Sequence, residues 1–220
     1  MEKTIRVTGK GKIAVKPDRT RVIIDMTDIC STYDGAISKS AYDIDVLKLV
    51  LAPLGFERSD IKTLHFSVDT EYESYYDKEK NWKRKFLGYK YTHTVKLEFD
   101  ADNEMLGRVL YELSRLPFHP EFRINYTVKD TEAVKNELLA KAVEDSKAKA
   151  KVLTEAAGVT LGSIATIDYS WGEIDIISSP MGRCMDADLL GEADCKGYSI
   201  DIEPDDIDVS DTVTVVWNIG

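Results

Sequence analysis

The sequence predicts an α+β fold in which helices pack on one side of largely antiparallel sheets. Strand patterns come in pairs separated by helical patterns, in the order β-β-α-β-β-α-β-α-β-β, which is typical of this class. The strict βαβα alternation of a doubly wound fold is missing, and no repeat of fixed period is visible. For 220 residues we expect one domain over residues 1–220, with two lobes of about residues 1–100 and 101–220 as the alternative.

The first elements are two strands and a helix. Ile5–Val15 and Arg19–Ile29 have strand patterns, and the Pro17-Asp18 pair between them favours a turn. Apolar residues then recur at helical spacing over Tyr33–Leu51. The face of this helix that we expect to be buried comprises Ile37, Tyr42 (or Ala41), Ile44, Leu47 (or Val46) and Leu51.

The two clearest strand patterns follow this helix and predict a long hairpin. Apolar and polar residues alternate with a period of two over residues 64–73 and again over residues 89–99. Matching the two apolar faces predicts a register in which paired residue numbers add up to about 161. The predicted pairs are Leu64 with Leu97, Phe66 with Val95, Val68 with His93, Glu71 with Lys90 and Tyr72 with Tyr89.

The second half of the chain is predicted to contain two helices and three strands. A short helix begins at a cap on Asp102 or Asn103 and ends by Pro117, and the strand Phe122–Val128 follows. The closing strands are Ile164–Trp171 and a segment over residues 207–219.

The longest helix lies between these strands. Asp130 is its predicted cap, the helix runs over about residues 131–157, and Gly158 ends it. One face is made of small residues, so we expect this face to lie close against a sheet. That face comprises Ala142, Ser146, Ala150, Leu153 and Ala157.

The charge is concentrated at the end of the chain. The net charge is -10, and residues 162–220 hold 13 Asp and Glu against 2 Lys and Arg. This balance argues against a general nucleic-acid binder. Residues 177–204 are acidic and have no periodicity, which predicts a flexible loop. No apolar run approaches the length of a transmembrane helix.

Motifs that would indicate a catalytic or metal site are scarce. Gly9-Lys10-Gly11-Lys12 lies inside a strand pattern, which indicates a bulge or a close strand contact rather than a phosphate loop. Asp186–Glu192 starts like a calcium loop but lacks two of the required oxygen ligands. Cys184 and Cys195 are expected to be free thiols, with a bridge or a soft-metal site as the alternative. We therefore expect no catalytic, metal or cofactor residues.

The hairpin tip is the candidate contact surface. Basic residues crowd the tip beside aromatic ones, a mixture that occurs in single-stranded nucleic-acid sites, in protein contacts and in solvated tips. The basic residues are Lys78, Lys80, Lys83, Arg84 and Lys85. The candidate residues for a contact between copies of the chain are Tyr75, Tyr76, Trp82, Arg84 and Phe86.

Several segments together resemble the SIMPL domain family, a bacterial group of unknown function. They cover nearly the whole chain and fall in the order of the family. The segments are Val7–Gly11 with Val15–Asp18, Gly88–Leu97, Val128–Asp130, Ala140–Ala150, Ala157–Gly162 and Ile202–Ile207.

The resemblance implies a protein without agreed catalytic residues. Several Gram-negative members of the family are periplasmic immunogenic or outer-membrane-associated proteins, and some are linked to oxidative stress. At least one forms a ring-like, channel-like homo-oligomer. The N-terminus has no apolar signal segment, so we expect a cytoplasmic protein, or a periplasmic or cell-surface one if a leader has been removed.

The function predicted from the sequence is therefore that of a non-enzymatic, self-associating protein of unassigned cellular role. A stress-related scaffold or a channel-like assembly would fit it. We expect a homo-oligomer that binds no nucleic acid. The alternatives are a small-ligand or metal-binding protein that uses the acidic loop, and an enzyme with an unrecognised site around His65 and Asp69.

Overall fold

The computed structural model describes residues 3–78, 80–169, 176–179 and 202–220. The elements are β1 (Lys3–Val15), β2 (Arg19–Cys30), α1 (Tyr33–Leu51), β3 (Lys62–Tyr76), β4 (Trp82–Asp100), α2 (Asn103–Ser114), β5 (Glu121–Thr127), α3 (Thr131–Ala157), β6 (Leu161–Asp168) and β7 (Ile207–Ile219). Their order and the mixture of helices with antiparallel sheets confirm the predicted α+β class. Much of the predicted loop 177–204, including Cys184, Cys195 and Asp186–Glu192, lies outside the described residues.

The strands form two sheets, of order β1-β7-β6 and β3-β4-β2-β5. Contacts group the chain into two units, each assembled from separate stretches. Unit 1 holds the three-stranded sheet with α3, and unit 2 holds the four-stranded sheet with α1 and α2. The strands on either side of the Pro17-Asp18 turn therefore belong to different sheets. The expectation of one domain, or of lobes over residues 1–100 and 101–220, stays a prediction.

In unit 1 the first and last strands of the chain pair along their full length. β1 and β7 are antiparallel, from Lys3 opposite Ile219 to Val15 opposite Ile207. Val7, Val213 and Trp217 from these strands form an apolar cluster with residues of α3. Since β7 lies between β1 and β6, it is the central strand of this sheet.

Helix α3 lies very close to β1 because two glycines leave room for its backbone. A Cβ atom built on Gly9 would lie 2.0 Å from the carbonyl oxygen of Ala142, and one on Gly11 would lie 2.1 Å from that of Leu138. This confirms that the glycines mark a close backbone approach. The partner is a helix, however, and not a neighbouring strand.

The buried face of α3 differs from the predicted one in its last two turns. The helix begins at the Asp130 cap and ends at Gly158, as predicted. Its buried residues are Leu138, Ala142, Ser146, Ala150 and Thr154. The predicted Leu153 is 50% exposed and Ala157 is also exposed. Thr154 can take the buried position because its hydroxyl donates to the carbonyl oxygen of Ala150 at 2.9 Å, which satisfies the polar group.

In unit 2, α1 and α2 cover one face of the sheet. The core includes Val22, Ile24 and Met26 of β2, Tyr91, Val95 and Leu97 of β4, Leu47 and Leu51 of α1, and Leu106, Val109 and Leu113 of α2. Asp102 caps α2 by accepting from the backbone N–H of Glu104 at 2.8 Å. This cap agrees with one of the two predicted for the short helix.

Helix α1 has the predicted ends, but the predicted buried face is wrong at its first positions. Ile37 and Tyr42 are 41% and 60% exposed. The buried residues are Ala36, Ser40, Asp43, Leu47 and Leu51. The hydrophobicity of the residues does not predict that Ser40 and Asp43 are buried. Both are polar, and hydrogen bonds to His93 and Tyr91 of β4 satisfy them in the interior.

The β3–β4 hairpin forms, but the predicted pairs are wrong. Phe66 pairs with His93 instead of Val95, and Tyr72 pairs with Phe86 instead of Tyr89. The register shifts near Leu64 and again beyond Glu71, and such β-bulges add an unpaired residue. Between the shifts, as for Phe66 with His93, the paired residue numbers add up to 159, and the apolar residues of the two strands share a face as predicted. Outside the shifts, as for Tyr72 with Phe86, they add up to 158, because a bulge moves the register by one residue.

Candidate functional site

Within the described residues, no helix or strand covers either face of the outer part of the hairpin. Strand β2 ends at Cys30, opposite Tyr89 of β4, so the hairpin continues beyond this point as a two-stranded ribbon. We call its residues 72–87 the hairpin arm. All described residues of the arm are exposed except the half-buried Asp77. An uncovered ribbon of this kind is a candidate interaction surface.

One face of the arm is aromatic. Alternate residues of a strand share a face, so this face carries Tyr72, Ser74, Tyr76, Trp82, Arg84 and Phe86. The ring centroids of Tyr72 and Phe86 are 5.4 Å apart, and those of Tyr76 and Trp82 are 5.0 Å apart. The Arg84 guanidinium lies 4.5 Å from the centroid of the Tyr72 ring. These contacts make a continuous apolar surface with one stacked cation.

The structure brings together four of the five residues proposed from the sequence. Tyr76, Trp82, Arg84 and Phe86 share the aromatic face, whereas Tyr75 lies on the other face, opposite Lys83. Tyr72 belongs to the aromatic face and was missed, because the predicted register paired it with Tyr89. The alternation within β3 was the signal that separates Tyr75 from its neighbours at 74 and 76.

A tight turn closes the arm. Asp77 accepts a hydrogen bond from the backbone N–H of Asn81 at 2.8 Å and pairs with Lys83 Nζ at 2.9 Å. Lys80 adopts a positive φ of 62° within this turn. Lys78, Lys80 and Lys85 have no ion pair within 4 Å in the described part of the chain. The turn therefore presents positive charge at the end of the aromatic face.

A second candidate is a buried polar cluster between α1 and β4. Asp43 is fully buried. It pairs with Lys39 Nζ at 2.6 Å and accepts a hydrogen bond from the Tyr91 hydroxyl. Burial and the hydrogen bond to Asp43 raise the pKa of Tyr91 far above its usual range. The tyrosine therefore stays protonated and acts as a fixed donor to the carboxylate.

His93 lies in the same cluster with both ring nitrogens occupied. Nδ1 lies 3.0 Å from the Ser40 hydroxyl, and Nε2 lies 2.9 Å from the Thr63 hydroxyl. Burial, with a smaller effect of the Lys48 charge, lowers the pKa of His93 below its ordinary value. Ser40 is 2% exposed, so a substrate would not reach its hydroxyl. The geometry favours a role in fixing α1 on the sheet rather than nucleophilic catalysis.

The histidine and aspartate considered for an enzyme do not form a pair. His65 and Asp69 are four residues apart on β3, a separation of roughly 13 Å along a strand. His65 pairs with Thr94 while His93 pairs with Phe66, so the two histidines point to opposite sides of the sheet. Among the described ranges no group of three or more His, Cys, Asp or Glu side chains is placed to hold a metal ion.

Within the parts of the chain that the structure describes, no helix is both long and apolar enough to cross a bilayer.

Comparison with known proteins assigns the family. The sequence profile of the SIMPL family, described as a protein of unknown function, matches residues 5–217. Because this match spans nearly the whole chain, the chain belongs to the SIMPL family. It is also similar to the 26 kDa periplasmic immunogenic proteins of Brucella melitensis biotype 1 and Brucella abortus strain S19.

These relatives are distant and longer. Each is 26% identical over 164 residues, which are 74% of this chain and 65% of the relative. This chain thus matches about two thirds of the length of the curated relatives. Both relatives are named as periplasmic, which contradicts our expectation of a cytoplasmic protein. That expectation rested on the composition of the first residues, which is a poor guide to the compartment.

Proposed function

We propose that this chain is a non-enzymatic periplasmic protein that associates with copies of itself through the hairpin arm. The resulting homo-oligomer would serve as a scaffold or a channel-like assembly. The periplasmic location follows the names of the relatives. The single observation that carries self-association is the exposed aromatic face of the arm.

The area and composition of this face support a protein contact. An aromatic side chain buries roughly 150–250 Å² when fully covered, so four half-exposed rings can lose on the order of 400 Å². That is about half of what one partner contributes to a standard interface. Tyr, Trp and Arg are also the residues most often found at the centre of protein interfaces. The aromatic face can therefore form the core of a contact, with the surrounding lysines at its rim.

The buried polar cluster supports the non-enzymatic part of the proposal. The hydroxyl of Ser40 is closed off from solvent, and the two nitrogens of His93 already have partners. A general base needs a free nitrogen within hydrogen-bond reach of a substrate. The cluster is instead arranged to stabilise the packing of α1 on β4.

The test is the mass of the protein in solution. Sedimentation velocity at tens of micromolar should give a species well above the 24.8 kDa of one chain. The double variant Trp82→Ala with Arg84→Glu should shift the protein toward the monomer, because it removes a central ring and reverses a charge on the aromatic face.

The control is Tyr75→Ala, which removes a ring of similar exposure from the opposite face of the arm. It should reduce the association less than the double variant, and circular dichroism should report the same fold for all three proteins. A wild-type protein that sediments as a monomer at these concentrations would refute self-association.

A further inference from the structure

We propose that the arm associates by strand addition, with the β3 edge of one copy pairing with the arm segment of β4 from the next copy. The inference rests on the proposed self-association and names the surface that receives the arm. It arises from the two open edges of the arm and from the opposite charges that these edges carry.

Both strands of the arm have an unpaired side. Strand β3 stands at the end of its sheet, and β4 is its one strand neighbour among the described residues. Strand β4 has β2 on its other side, but β2 ends opposite Tyr89. Within the described chain, Trp82–Phe86 and Gly88 therefore pair only with β3, and Leu87 is the unpaired residue of a bulge. Each open side presents backbone N–H and C=O groups that another strand can bind.

The β3 edge lacks most of the features that normally block strand addition. Between Lys62 and Tyr76 there is no proline, and the one lysine is Lys62 itself, at the start of the strand. The bulge in β3 falls near Leu64, away from the arm, and the second bulge lies on β4 at Leu87, at the base of the arm. Edge strands are usually protected by prolines, lysines or bulges. The arm end of β3 is therefore open to a partner strand.

Acidic residues determine which strand can bind there. Asp69, Glu71 and Glu73 occupy alternate positions of β3, so they share one face at intervals of roughly 6.6 Å. A second β3 strand placed alongside would bring like charges together, which destabilises a sheet. The β3 edge thus disfavours pairing with its own copy and favours a basic strand.

The arm segment of β4 is such a strand. Lys83 and Lys85 lie opposite Tyr75 and Glu73, so they share the face of the acidic residues. If the aromatic faces of two copies lie on the same side, Lys83 and Lys85 of one copy flank Glu71 and Glu73 of the other. Cross-strand pairs of opposite charge stabilise a sheet. Glu71, Glu73 and Lys85 have no ion pair within 4 Å in the described chain, so their charges are available.

The contact is heterologous, because an acidic edge meets a basic edge and leaves one of each free. Such head-to-tail contacts close into a ring when the rotation allows, and otherwise extend into a filament. The aromatic faces would lie side by side along the shared sheet. This arrangement explains why charge and aromatic residues occur together on so short a ribbon.

Two charge-reversal variants test the inference. The first is Glu71→Lys with Glu73→Lys, and the second is Lys83→Glu with Lys85→Glu. Each places two like charges at the 73/85 pair of its own hairpin. The second variant also removes the ion pair of Lys83 with Asp77 in the turn, so Lys85→Glu alone is the matched control for Glu73→Lys alone. Each alone should sediment as a smaller species than the wild type. An equimolar mixture should recover the larger species, since basic edges then meet acidic ones.

A neutral variant tests the charge pairs without placing like charges within the arm, which could unfold it. Glu71→Gln with Glu73→Gln creates no like-charge pair, and it should weaken the association by roughly 2- to 30-fold if two cross-strand charge pairs are lost. Circular dichroism and Trp fluorescence should match the wild type for every variant used.

The outcomes separate the two proposals. Recovery in the mixture supports edge pairing, because only contacts between copies can compensate for reversed charges on different chains. If the wild type associates but the mixture stays dissociated, or if all charge variants associate like the wild type, edge pairing is overturned and self-association stands. A monomeric wild type overturns both.

Discussion

At the scale of single residues, Asp43 illustrates how a carboxylate can be accommodated without contact with water. Lys39 supplies a counter-charge at 2.6 Å, and the protonated Tyr91 supplies a hydrogen bond. Removing either partner would leave a buried charge incompletely satisfied, which is strongly destabilising. The cluster therefore fixes the position of α1. Burying its charged groups costs desolvation free energy, which an apolar contact would not.

We expect His93 to make the stability of the protein depend on pH. Its pKa is lowered in the folded protein, so the unfolded chain binds the proton more readily. Stability is then complete above the ordinary histidine pKa of about 6.5 and declines as the pH falls below that value toward the lowered one. Urea denaturation at about pH 7.5 and pH 5.5 should show this loss.

The control for this effect is His93→Gln, whose side chain keeps a hydrogen-bond donor and an acceptor but does not titrate. Its stability should change less between the two pH values than that of the wild type. Equal losses in the two proteins would show that other groups cause the pH dependence.

At the scale of elements, the close packing of α3 against β1 depends on the lack of a side chain at Gly9 and at Gly11. Alanine usually stabilises a strand relative to glycine. At Gly9, however, the added Cβ would lie 2.0 Å from the backbone oxygen of Ala142, so the helix must move. We expect Gly9→Ala to destabilise the protein by about 1–3 kcal/mol.

Chemical denaturation measures this cost. Lys12→Ala, at an exposed position on the same strand, is the control and should change the free energy of unfolding by no more than about 0.5 kcal/mol. If Gly9→Ala is neutral or stabilising, the close contact of α3 with β1 is wrong.

The elements themselves could be predicted because their signals are local. The ends of α3 follow from an aspartate cap and a terminal glycine, and the strands follow from alternation. The hairpin register could not be predicted, because the alternation of apolar and polar residues does not reveal the bulges near Leu64 and Leu87.

The buried face of α1 could not be predicted either. Ser40 and Asp43 have partners about 50 positions away on β4, and hydrophobicity gives no indication of them.

The candidate site could be predicted in composition but only in part in geometry. Alternation within β3 separates Tyr75 from Tyr76, but which residues of β4 share each face depends on the turn at Asp77–Asn81. The two open edges were also beyond prediction, because the edge of β3 depends on the strand order of the sheet and the edge of β4 on where β2 stops.

At the scale of the whole molecule, charge is expected to govern the association. The chain carries a net charge of -10, yet the arm is rich in lysine and arginine. Attraction between exposed charges is screened over about 10 Å at 0.1 M salt. We therefore expect the sedimenting species to shrink when NaCl is raised from about 0.05 M to about 0.5 M.

The Trp82→Ala and Arg84→Glu double variant should respond less to the same change in salt, since its association is already weakened. An association that strengthens with salt in the wild type would indicate that apolar burial dominates and that the charged edges contribute little.

The pairing of β1 with β7 has a consequence for the order of folding. β1 is the first described strand in the sequence, but its neighbour in the sheet is the last one. Strands that are far apart in sequence pair slowly because the long intervening segment must first be ordered. Unit 2 lies between them in the sequence and can form its sheet from β2 to β5 beforehand. The unit that contains the N-terminus is therefore expected to be the last to become resistant to proteases.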